Sequence, residues 1–453
     1  MSVFLRPIAL LLLTYGLLGC VESTREQAIG RGAVRGINAL ADSLDVNFLI
    51  EERSVNPIKY KEATPFVRFD DLTYIFNFDI AIAGQLGADR IASIEQKIVA
   101  DNEYVFVLVG SVATPEIIVW DNVEREWEGT ETIFEMAFGH GSPDLGTVDV
   151  YYAPTGTVPV LGGAAGSISF GERLAATEYD GDEYELTLTA PGDPSIVLFK
   201  GAASTPLNSN TSWTVLFDAD PSLTSEINVQ QILRTGTAFE VPDTRFPPTV
   251  QLINAAFGTG NIDLVLEEDF VNPPTFSNVA FAEIAADTDV PEGQTVFTYT
   301  PPASTTVLLE EDTFTLAGVR MMIVLQGEPG NLSTVRLASI RRPVSTAAQI
   351  RFTNSSFNLQ EVDVYLAAEG SVIGEIIPSV RALPFGLTSD FRERAGAIYE
   401  LTITTTGEQT VVAGPLTLDL ATGTVVEILI MDTADPAVGE ILEFTNLPGL
   451  PTP

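Results

Sequence analysis

The chain has 453 residues, of which 45% are hydrophobic and 19% charged. At about 100 to 200 residues per domain, this length predicts three or four folded domains and excludes an intrinsically disordered acidic chain. The 61 acidic residues against 23 basic ones give a formal net charge of -38. This charge excludes nucleic acid as an expected partner, because phosphate binding depends on clustered Lys and Arg. We interpret the acidic surface as a solvating coat, with binding of divalent cations or of a cationic partner as the alternative.

The N-terminal stretch MSVFLRPIALLLLTYGLLGC has the three parts of a secretory signal. Arg6 forms a short basic region, residues 8–18 form an apolar run too short to span a bilayer comfortably, and Gly19 precedes Cys20. The ending LLGC resembles a bacterial lipobox. We therefore predict a lipoprotein signal peptide at residues 1–19 and a linker at residues 20–32.

Cys20 is the only cysteine of the chain and stands where a lipobox requires it. A free thiol without a disulfide partner would be unusual in an exported protein, whereas a thioether explains the residue. Several acyl chains would anchor the protein stably. Resemblance to lipoproteins of diderm bacteria implies sorting to the outer membrane, because Val21 and not Asp follows the cysteine. The expected location is the cell envelope, on the periplasmic side or at the surface.

One phrase occurs four times after the signal, most clearly as SPDLGTVDVYYAP and SFNLQEVDVYLAA. Apolar residues alternate with polar ones in each copy, which predicts a half-buried strand. The copies begin at Asn38, His140, Asn254 and Asn354, and their carboxylates Asp45, Asp149, Asp263 and Asp363 recur at roughly 100 to 115 residues. Such a period is that of domains and not of a solenoid.

Shorter strands precede and follow each phrase in the same order, with Gly, Pro and polar turns between them. No segment after the signal has a long helical period. The pattern predicts an all-β chain, a tandem array of four immunoglobulin-like antiparallel β-sandwiches, with a small barrel as the alternative fold. The Pro-containing joints predict a rod more than a ball. The predicted units are residues 33–129, 130–241, 248–343 and 347–450.

The stretch FGHGSPDLGTVDVYYAPTG resembles the signature of domain-of-unknown-function family 4397, in which a His-x-Ser-Pro-Asp turn precedes a Val-Asp-Val-Tyr strand. The second unit matches best, and the other three keep the strand but have Asn in place of the histidine. The resemblance implies exported, sandwich-like domains, often in tandem and often anchored at the cell surface. It implies no activity.

The only histidine, His140, occupies the slot that holds Asn38, Asn254 and Asn354 in the other units. Both residue types donate and accept hydrogen bonds from a short side chain, so we predict that this slot holds a turn together. The four repeated aspartates face away from the apolar side, where they accept backbone N–H bonds, pair across strands or contact solvent. Nothing in their spacing indicates the paired carboxylates of a hydrolase.

Calcium is a possible ligand, with candidate stretches at residues 179–183, 218–222 and 310–312, although none has the spacing of a twelve-residue calcium loop. The Gly-rich residues 160–167 lack the features of a phosphate-binding loop. Trp127, in a polar run, is the better candidate for ligand binding among the three tryptophans, since Trp213 begins an apolar strand.

These observations predict a lipid-anchored envelope protein without enzymatic activity, cofactor or resident metal, which acts as a multidomain binding or spacer array. It would bind the membrane through its anchor and a glycan or an envelope protein through loops or sheet edges. The alternatives are a surface hydrolase that uses carboxylates and a structural subunit of an envelope complex or filament. Loops present in one unit and absent from the others would mark a functional unit, and the second unit is the first place to look.

Overall fold

The computed structural model describes residues 27–204 and 206–445. The signal peptide, Cys20 and the start of the linker lie outside these ranges, as do the last residues of the fourth predicted unit. Strands and turns make up nearly all of the described chain, with one short 3₁₀ helix at Ile373–Glu375. The predicted all-β array of four sandwiches is confirmed.

The first half of the chain forms the first two sandwiches. The strands of the first are β1 (Arg31–Asn38), β2 (Val46–Ile50), β3 (Arg53–Ile58), β4 (Val67–Asp70), β5 (Thr73–Ala81), β6 (Ala88–Lys97), β7 (Asn102–Ser111) and β8 (Thr114–Val123). Those of the second are β9 (Ile133–His140), β10 (Val148–Pro154), β11 (Gly166–Ile168), β12 (Arg173–Asp180), β13 (Tyr184–Ala190), β14 (Asp193–Lys200), β15 (Thr211–Phe217), β16 (Asn228–Ile232) and β17 (Ala238–Glu240).

The remaining strands form the third and fourth sandwiches. The third has β18 (Thr249–Ala256), β19 (Ile262–Leu266), β20 (Phe276–Val279), β21 (Thr288–Asp289), β22 (Gly293–Thr300), β23 (Leu309–Thr315), β24 (Arg320–Glu328) and β25 (Asn331–Ala338). The fourth has β26 (Ala348–Asn354), β27 (Glu361–Ala368), β28 (Val380–Pro384), β29 (Arg392–Arg394), β30 (Ala397–Thr405), β31 (Val411–Leu420), β32 (Val425–Asp432) and β33 (Gly439–Thr445).

The four sandwiches share one strand order. Counted within each sandwich, strands 4-1-7-8 form one sheet, which we call the inner sheet, and strands 3-2-5-6 form the other, the outer sheet. The first and seventh strands run parallel, and all other neighbours are antiparallel. In the second sandwich β17 extends the inner sheet. The architecture is that of the immunoglobulin domains, but their constant-type order, ABED with CFG, is a different one.

Each inner sheet is buried on both faces. In β7, Tyr104, Phe106 and Leu108 belong to the core of the first sandwich, whereas Val105 and Val107 face the second sandwich. The same alternation occurs in β32, whose even-numbered residues 426, 428 and 430 fill the fourth core while Leu429 and Met431 face the third sandwich. A strand covered on both faces is apolar along most of its length, as in the run from Tyr104 to Val109 of β7.

The sandwiches therefore form two pairs, each joined through its inner sheets. The first and second sandwiches are the lower pair, where Trp120 and Trp213 stack with ring centroids 5.5 Å apart. The third and fourth are the upper pair. The prediction of a rod is wrong. Each inner sheet has a second apolar face, turned away from its own core, and the neighbouring sandwich buries this face.

Both members of a pair point the same way. We call the end where a first strand begins proximal and the end where it finishes distal. In the lower pair, Ser111 and Ser142 line one distal cleft, while Arg234 pairs with Glu103 at the proximal end of β7. In the upper pair, Gln326 lies beside Gly386 at the distal end.

The upper pair stands on the distal end of the lower pair. Arg342, in the joint between the third and fourth sandwiches, donates to the carbonyl of Ser43 at 2.9 Å and also to that of Ala41. On the second sandwich, Leu223 forms a β-bridge with Val319. The chain is thus a two-tier stack whose first strands all run from the proximal to the distal end.

Candidate functional site

The predicted turn slot lies at the distal end of each first strand, and all four side chains are fully buried. In Asn354 the amide oxygen accepts from the Ser356 N–H at 3.1 Å, and the amide nitrogen donates to the carbonyls of Gln360 and Leu383. Asn254 makes the same three bonds with its own neighbours. These bonds join the first strand, the following turn and the third strand.

Asn38 and His140 fill the slot in variant ways. Asn38 accepts from Leu40 N–H at 3.0 Å and donates to Ile58 carbonyl and to Ser43 Oγ. His140 Nε2 lies 3.1 Å from the Gly146 carbonyl, and its Nδ1 has no partner among the described residues. Burial lowers the pKa of the His140 imidazole, so the ring is neutral at physiological pH. No hydroxyl hydrogen-bonds to this ring, so the described residues contain no serine-type triad at His140.

Three of the repeated aspartates connect neighbouring segments of the outer sheet. Asp363 accepts from Ala382 N–H at 2.7 Å with one oxygen and from Gly407 N–H at 3.0 Å with the other. Asp263 accepts in the same way from Asn278 and Ala303 N–H groups. Asp149 accepts from Ser167 Oγ and from Gly192 N–H. Each carboxylate therefore fixes the third strand and the turn after the fifth strand to the second strand.

Asp45 is not the fourth member of this set, although the sequence pattern grouped it with Asp149, Asp263 and Asp363. Asp149, Asp263 and Asp363 each stand nine positions after their slot residue, and the same spacing from Asn38 leads to Asn47 in β2. Asp45 lies before β2 and is exposed. The Asp-Val sequence at 45–46 resembles that of the other copies, but Asp45 stands two positions before the residue that is equivalent to Asp149.

The two most similar phrases also share a Ser–Asp clamp at the distal end. Asp432 accepts from Ser356 Oγ and from the N–H groups of Phe357 and Asn358, at 2.9 and 3.1 Å for the latter two. Asp218 accepts from Ser142 Oγ in the second sandwich. In both sandwiches the serine and the aspartate are 76 positions apart in the sequence. The repeated phrase therefore builds a strand and a clamped turn.

A cleft of 560 Å³ opens where the distal turns of the lower pair meet. Asp42, Asp144, Asp218 and Glu226 line it together with Arg245. Burial raises the pKa of the Asp218 carboxyl, although its bonds to Ser142 Oγ and the Asp144 N–H oppose this shift. Arg245 is held by Asp243, with Nη2 to Oδ2 at 2.7 Å.

The calcium candidates do not converge. Asp218 bonds to Ser142, and Asp220 pairs with Lys61 at 3.1 Å. Glu310 hydrogen-bonds to Glu268, and this contact with burial raises its pKa. Within residues 27–204 and 206–445 no three His, Cys, Asp or Glu side chains are grouped so that they could hold a metal ion.

The extra length of the second unit is used inside the molecule. The connection at 218–227 between β15 and β16 is longer than the two-residue turns at 112–113 and 329–330 in the first and third sandwiches. Its Ser222 accepts from the Arg341 N–H, and Leu223 accepts from Arg320 Nε at 3.0 Å. This connection holds the upper pair in place.

The first sandwich differs from the others in the length of the loop after its second strand. A turn of two residues, Glu51 and Glu52, joins β2 to β3, whereas the second, third and fourth sandwiches have loops at 155–165, 267–275 and 369–379. The loop at 155–165 includes most of the Gly-rich stretch and folds back so that Tyr151 donates to the Val160 carbonyl at 3.2 Å. It precedes no helix, so it has no phosphate-binding geometry.

The distal ends of the two tiers differ in what covers a recurrent aromatic ring. The main-chain carbonyl of each slot residue accepts a hydrogen bond from a backbone N–H group. The residue directly before that donor is aromatic in all four sandwiches: Tyr60, Phe170, Phe281 and Phe385. Tyr60 is buried under Arg342, which lies 4.7 Å from its ring centroid. At the upper tip, the rings pair instead with turn residues, Phe281 with Phe257 and Phe385 with Phe357, and stay half-buried.

Residues 248–365 match the model of a family described as Domain of unknown function (DUF4397). The predicted resemblance is confirmed. The DUF4397 match includes the whole third sandwich, together with β26 and most of β27, and so it contains two copies of the repeated phrase. The sequence signature pointed first to the second sandwich, whereas this match lies on the third.

No curated protein matches the sequence. Among solved structures, the one described as "The Bacillus anthracis TIE protein" aligns over 90% of this chain and 69% of its own, with 7% identity and a TM-score of 0.16. A likeness at this level carries no argument about fold or function. Across the described ranges, no helix has the length and apolar character needed to cross a bilayer.

Proposed function

We propose that this protein is a lipid-anchored, non-enzymatic component of the cell envelope, attached through Cys20 to the outer membrane, that binds an envelope glycan at its distal tip. The observation that supports this proposal most is the common direction of the four sandwiches. The chain enters at the proximal end of the lower pair, and the free tip of the upper pair lies at the opposite end. An anchor at Cys20 would therefore hold the tip away from the membrane.

The tip has the chemistry of a recognition surface. Two half-buried ring pairs, Phe257 with Phe281 and Phe357 with Phe385, lie on adjacent sandwiches with centroid distances of 5.6 and 5.5 Å. The corresponding position of Phe257 and Phe357 in the lower pair is held by Ala41, whose carbonyl accepts from Arg342 of the upper tier, and by Pro143, which is exposed. Large aromatic side chains thus appear at the end that no other sandwich covers. Half-exposed rings supply rigid contact area to a ligand.

The test is a pull-down of cell-envelope glycans and proteins with the mature soluble chain beginning at Val21. A double variant, Phe257→Ala with Phe357→Ala, should reduce glycan capture about tenfold or more, as expected for loss of central aromatic contacts. Phe314→Ala is the matched control, since Phe314 is 64% exposed on the outer sheet of the third sandwich. Parallel pull-downs with calcium and with a chelator test whether capture depends on calcium bound at the acidic surface.

Equal capture by the double variant and the wild type would exclude the tip. Saturable capture of a protein in place of a glycan would establish the protein-binding form of the array. No capture of either class by the folded chain would favour a spacer or assembly subunit.

The hydrolase alternative has one observation in its favour, the acidic cleft with Asp144 beside Asp218. The upper pair argues against it, since Ser356 and Asp432 repeat the Ser142–Asp218 contact as part of a turn. Hydrolysis of envelope polymers by the wild type, lost in Asp144→Asn, would establish this second function and overturn the non-enzymatic proposal.

A further inference from the structure

The proximal end of the first sandwich is apolar around the point where the chain enters. Ile29, Val99 and Val123 are 93%, 49% and 73% exposed. They belong to one surface: Ala100 touches Gly30, Asp101 N–H donates to the Arg31 carbonyl, and Val123 pairs with Asn102. Isolated apolar side chains are ordinary on surfaces, but a group at one end of a sandwich marks an interaction site.

The second sandwich has exposed apolar residues at the same end. Val158 and Leu161, in the loop that leaves β10 at its proximal end, are 75% and 77% exposed. Leu207 is 56% exposed beside the start of β13, where Ser204 bonds to Tyr184. The loop at 155–165 contains no charged residue, an exception on a chain of net charge -38. Because the two sandwiches point the same way, both apolar groups face the proximal side of the stack.

Trp127 belongs to the segment that links the first sandwich to the second. It is half-buried in the connection from β8 to β9, and its indole N–H donates to Thr211 Oγ1 at 3.2 Å at the start of β15. The Arg125 guanidinium lies 4.0 Å from the ring centroid. Arg125 itself pairs with Glu135 and Glu178. A half-buried indole with a hydrogen-bonded edge suits a membrane interface, where tryptophan is enriched.

We propose that this proximal surface, defined by Ile29, Val99, Val123, Trp127, Val158, Leu161 and Leu207, rests on the surface of a zwitterionic lipid bilayer. The inference rests on the proposed anchor at Cys20. Ile29 stands nine positions after Cys20, a reach of about 30 Å at most when fully extended. An acylated Cys20 would therefore keep this surface at the bilayer, where shallow burial of apolar side chains adds to the tether. The acidic charge selects against anionic lipids.

The experiment bypasses lipidation by attaching the mature chain, from Val21 onward, through an N-terminal histidine tag to phosphatidylcholine vesicles that contain a nickel-chelating lipid. Trp120 and Trp213 are buried, so the difference between wild type and Trp127→Phe reports on Trp127. We expect a blue shift of Trp127 emission on the vesicles and quenching by bromine-labelled lipid. Unshifted, unquenched emission of the tethered chain would overturn the proposal.

A second measurement uses the untagged chain and sedimentation with the same vesicles. The triple variant Val123→Ser, Val158→Ser and Leu161→Ser should lower the bound fraction about fivefold or more, because each change removes exposed apolar area. Leu86→Ser is the matched control: Leu86 is fully exposed in the turn after β5, at the distal end of the same sandwich. An equal loss in the control would contradict the proposal, as would binding that grows with added phosphatidylglycerol.

The anchor itself is tested separately, by the mass of the N-terminal peptide of protein taken from the native envelope. An unmodified Cys20 would overturn the proposed anchor, whereas the vesicle measurements decide the lipid contact. Capture of glycans by the tip depends on neither result.

Discussion

The lower and upper pairs solve the same packing problem with different side chains. Between the inner sheets of the lower pair, Trp120 and Trp213 stack almost parallel, with an interplanar angle of 8°. The same space in the upper pair holds mainly aliphatic residues and methionines, among them Val324, Leu429 and Met431, together with Phe444. The arrangement of the sandwiches is common to both. Apolar character and filled volume therefore specify the pairing, and the individual residues do not.

A single arginine position makes this comparison sharper. Arg35 and Arg351 both stand three residues before the slot, and each donates to a main-chain carbonyl of the neighbouring sandwich, Leu233 and Ala338. Arg351 is neutralised by Glu427, with Nε to Oε2 at 2.9 Å. Arg35 lies under the Phe66 ring, and its Nε and Nη2 have no partner among the described residues. Burial lowers the pKa of Arg35 to about 9, against an opposing contribution from Glu103.

Breaking the tryptophan stack should have the largest effect. Trp213→Ala leaves a cavity between the inner sheets, and we expect the free energy of unfolding of the lower pair to fall by about 3–5 kcal/mol. Met431→Ala, at the corresponding surface of the upper pair, should cost less, about 2–3 kcal/mol. Urea denaturation followed by near-UV circular dichroism measures both, and a larger loss in Met431→Ala would contradict this ranking.

Removal of the charge should destabilise the protein strongly at Arg351 and hardly at all at Arg35. Arg351→Met leaves Glu427 buried without its partner, so we expect a loss of about 3–5 kcal/mol. Arg35→Met removes a cation with unsatisfied donors while Glu103 keeps Arg234, so the change should be within about 1 kcal/mol of zero. Thermal unfolding of the two variants side by side decides this, and equal destabilisation would show that the Arg35 site is satisfied.

The repeated aspartate should have an intermediate effect. In Asp363→Asn the new amide has one acceptor oxygen for two N–H donors, at Ala382 and Gly407, and we expect a loss of about 1.5–3 kcal/mol. The exposed Glu361, on the same strand, gives the control Glu361→Gln, which should change stability by less than about 0.5 kcal/mol. Faster amide hydrogen exchange at Gly407 in Asp363→Asn alone would locate the effect.

The smallest expected effect is on the pH dependence of the free energy of unfolding, through the two aspartates in the long connection at 218–227 of the second sandwich. Burial raises the Asp218 pKa, so this group favours the folded state at low pH, and its contribution is lost as pH rises from the ordinary value of about 3.9 through the raised one. Burial also acts on Asp220, but Lys61 and Ser222 outweigh it and lower its pKa. Asp220 therefore stabilises above the ordinary value, and this stability is lost as pH falls through its folded pKa.

Asp218→Asn should make stability rise more steeply with pH above about 4, and Asp220→Asn should make it rise less steeply with pH below about 4. The free energy of unfolding, measured by urea titration at each pH, tests both signs. Slopes that change in the same direction in both variants would show that one of the two directions is wrong.

Much of each single sandwich could be predicted from sequence, because a strand with one buried face alternates along the chain. The fourfold repeat, the second strands such as Val148–Pro154 and the turn slot were all visible as local patterns. The pairing of sandwiches also had a signal, the mostly apolar sequence of the seventh strands, which indicates burial on both faces. That signal was interpreted only as a late strand, and so the array was expected to be extended.

The sequence by itself determined the β-sandwich unit, its fourfold repetition and the slot at Asn38, His140, Asn254 and Asn354, because alternation and turn chemistry act over a few residues. Only the tertiary structure decided what lies far apart in sequence. It placed Asn47 and not Asp45 at the repeated carboxylate position, since strand register is set by pairing. It brought Arg342 to Ser43 and joined the inner sheets, since exposed apolar faces are buried by whichever surface fits them, and no local pattern names that surface.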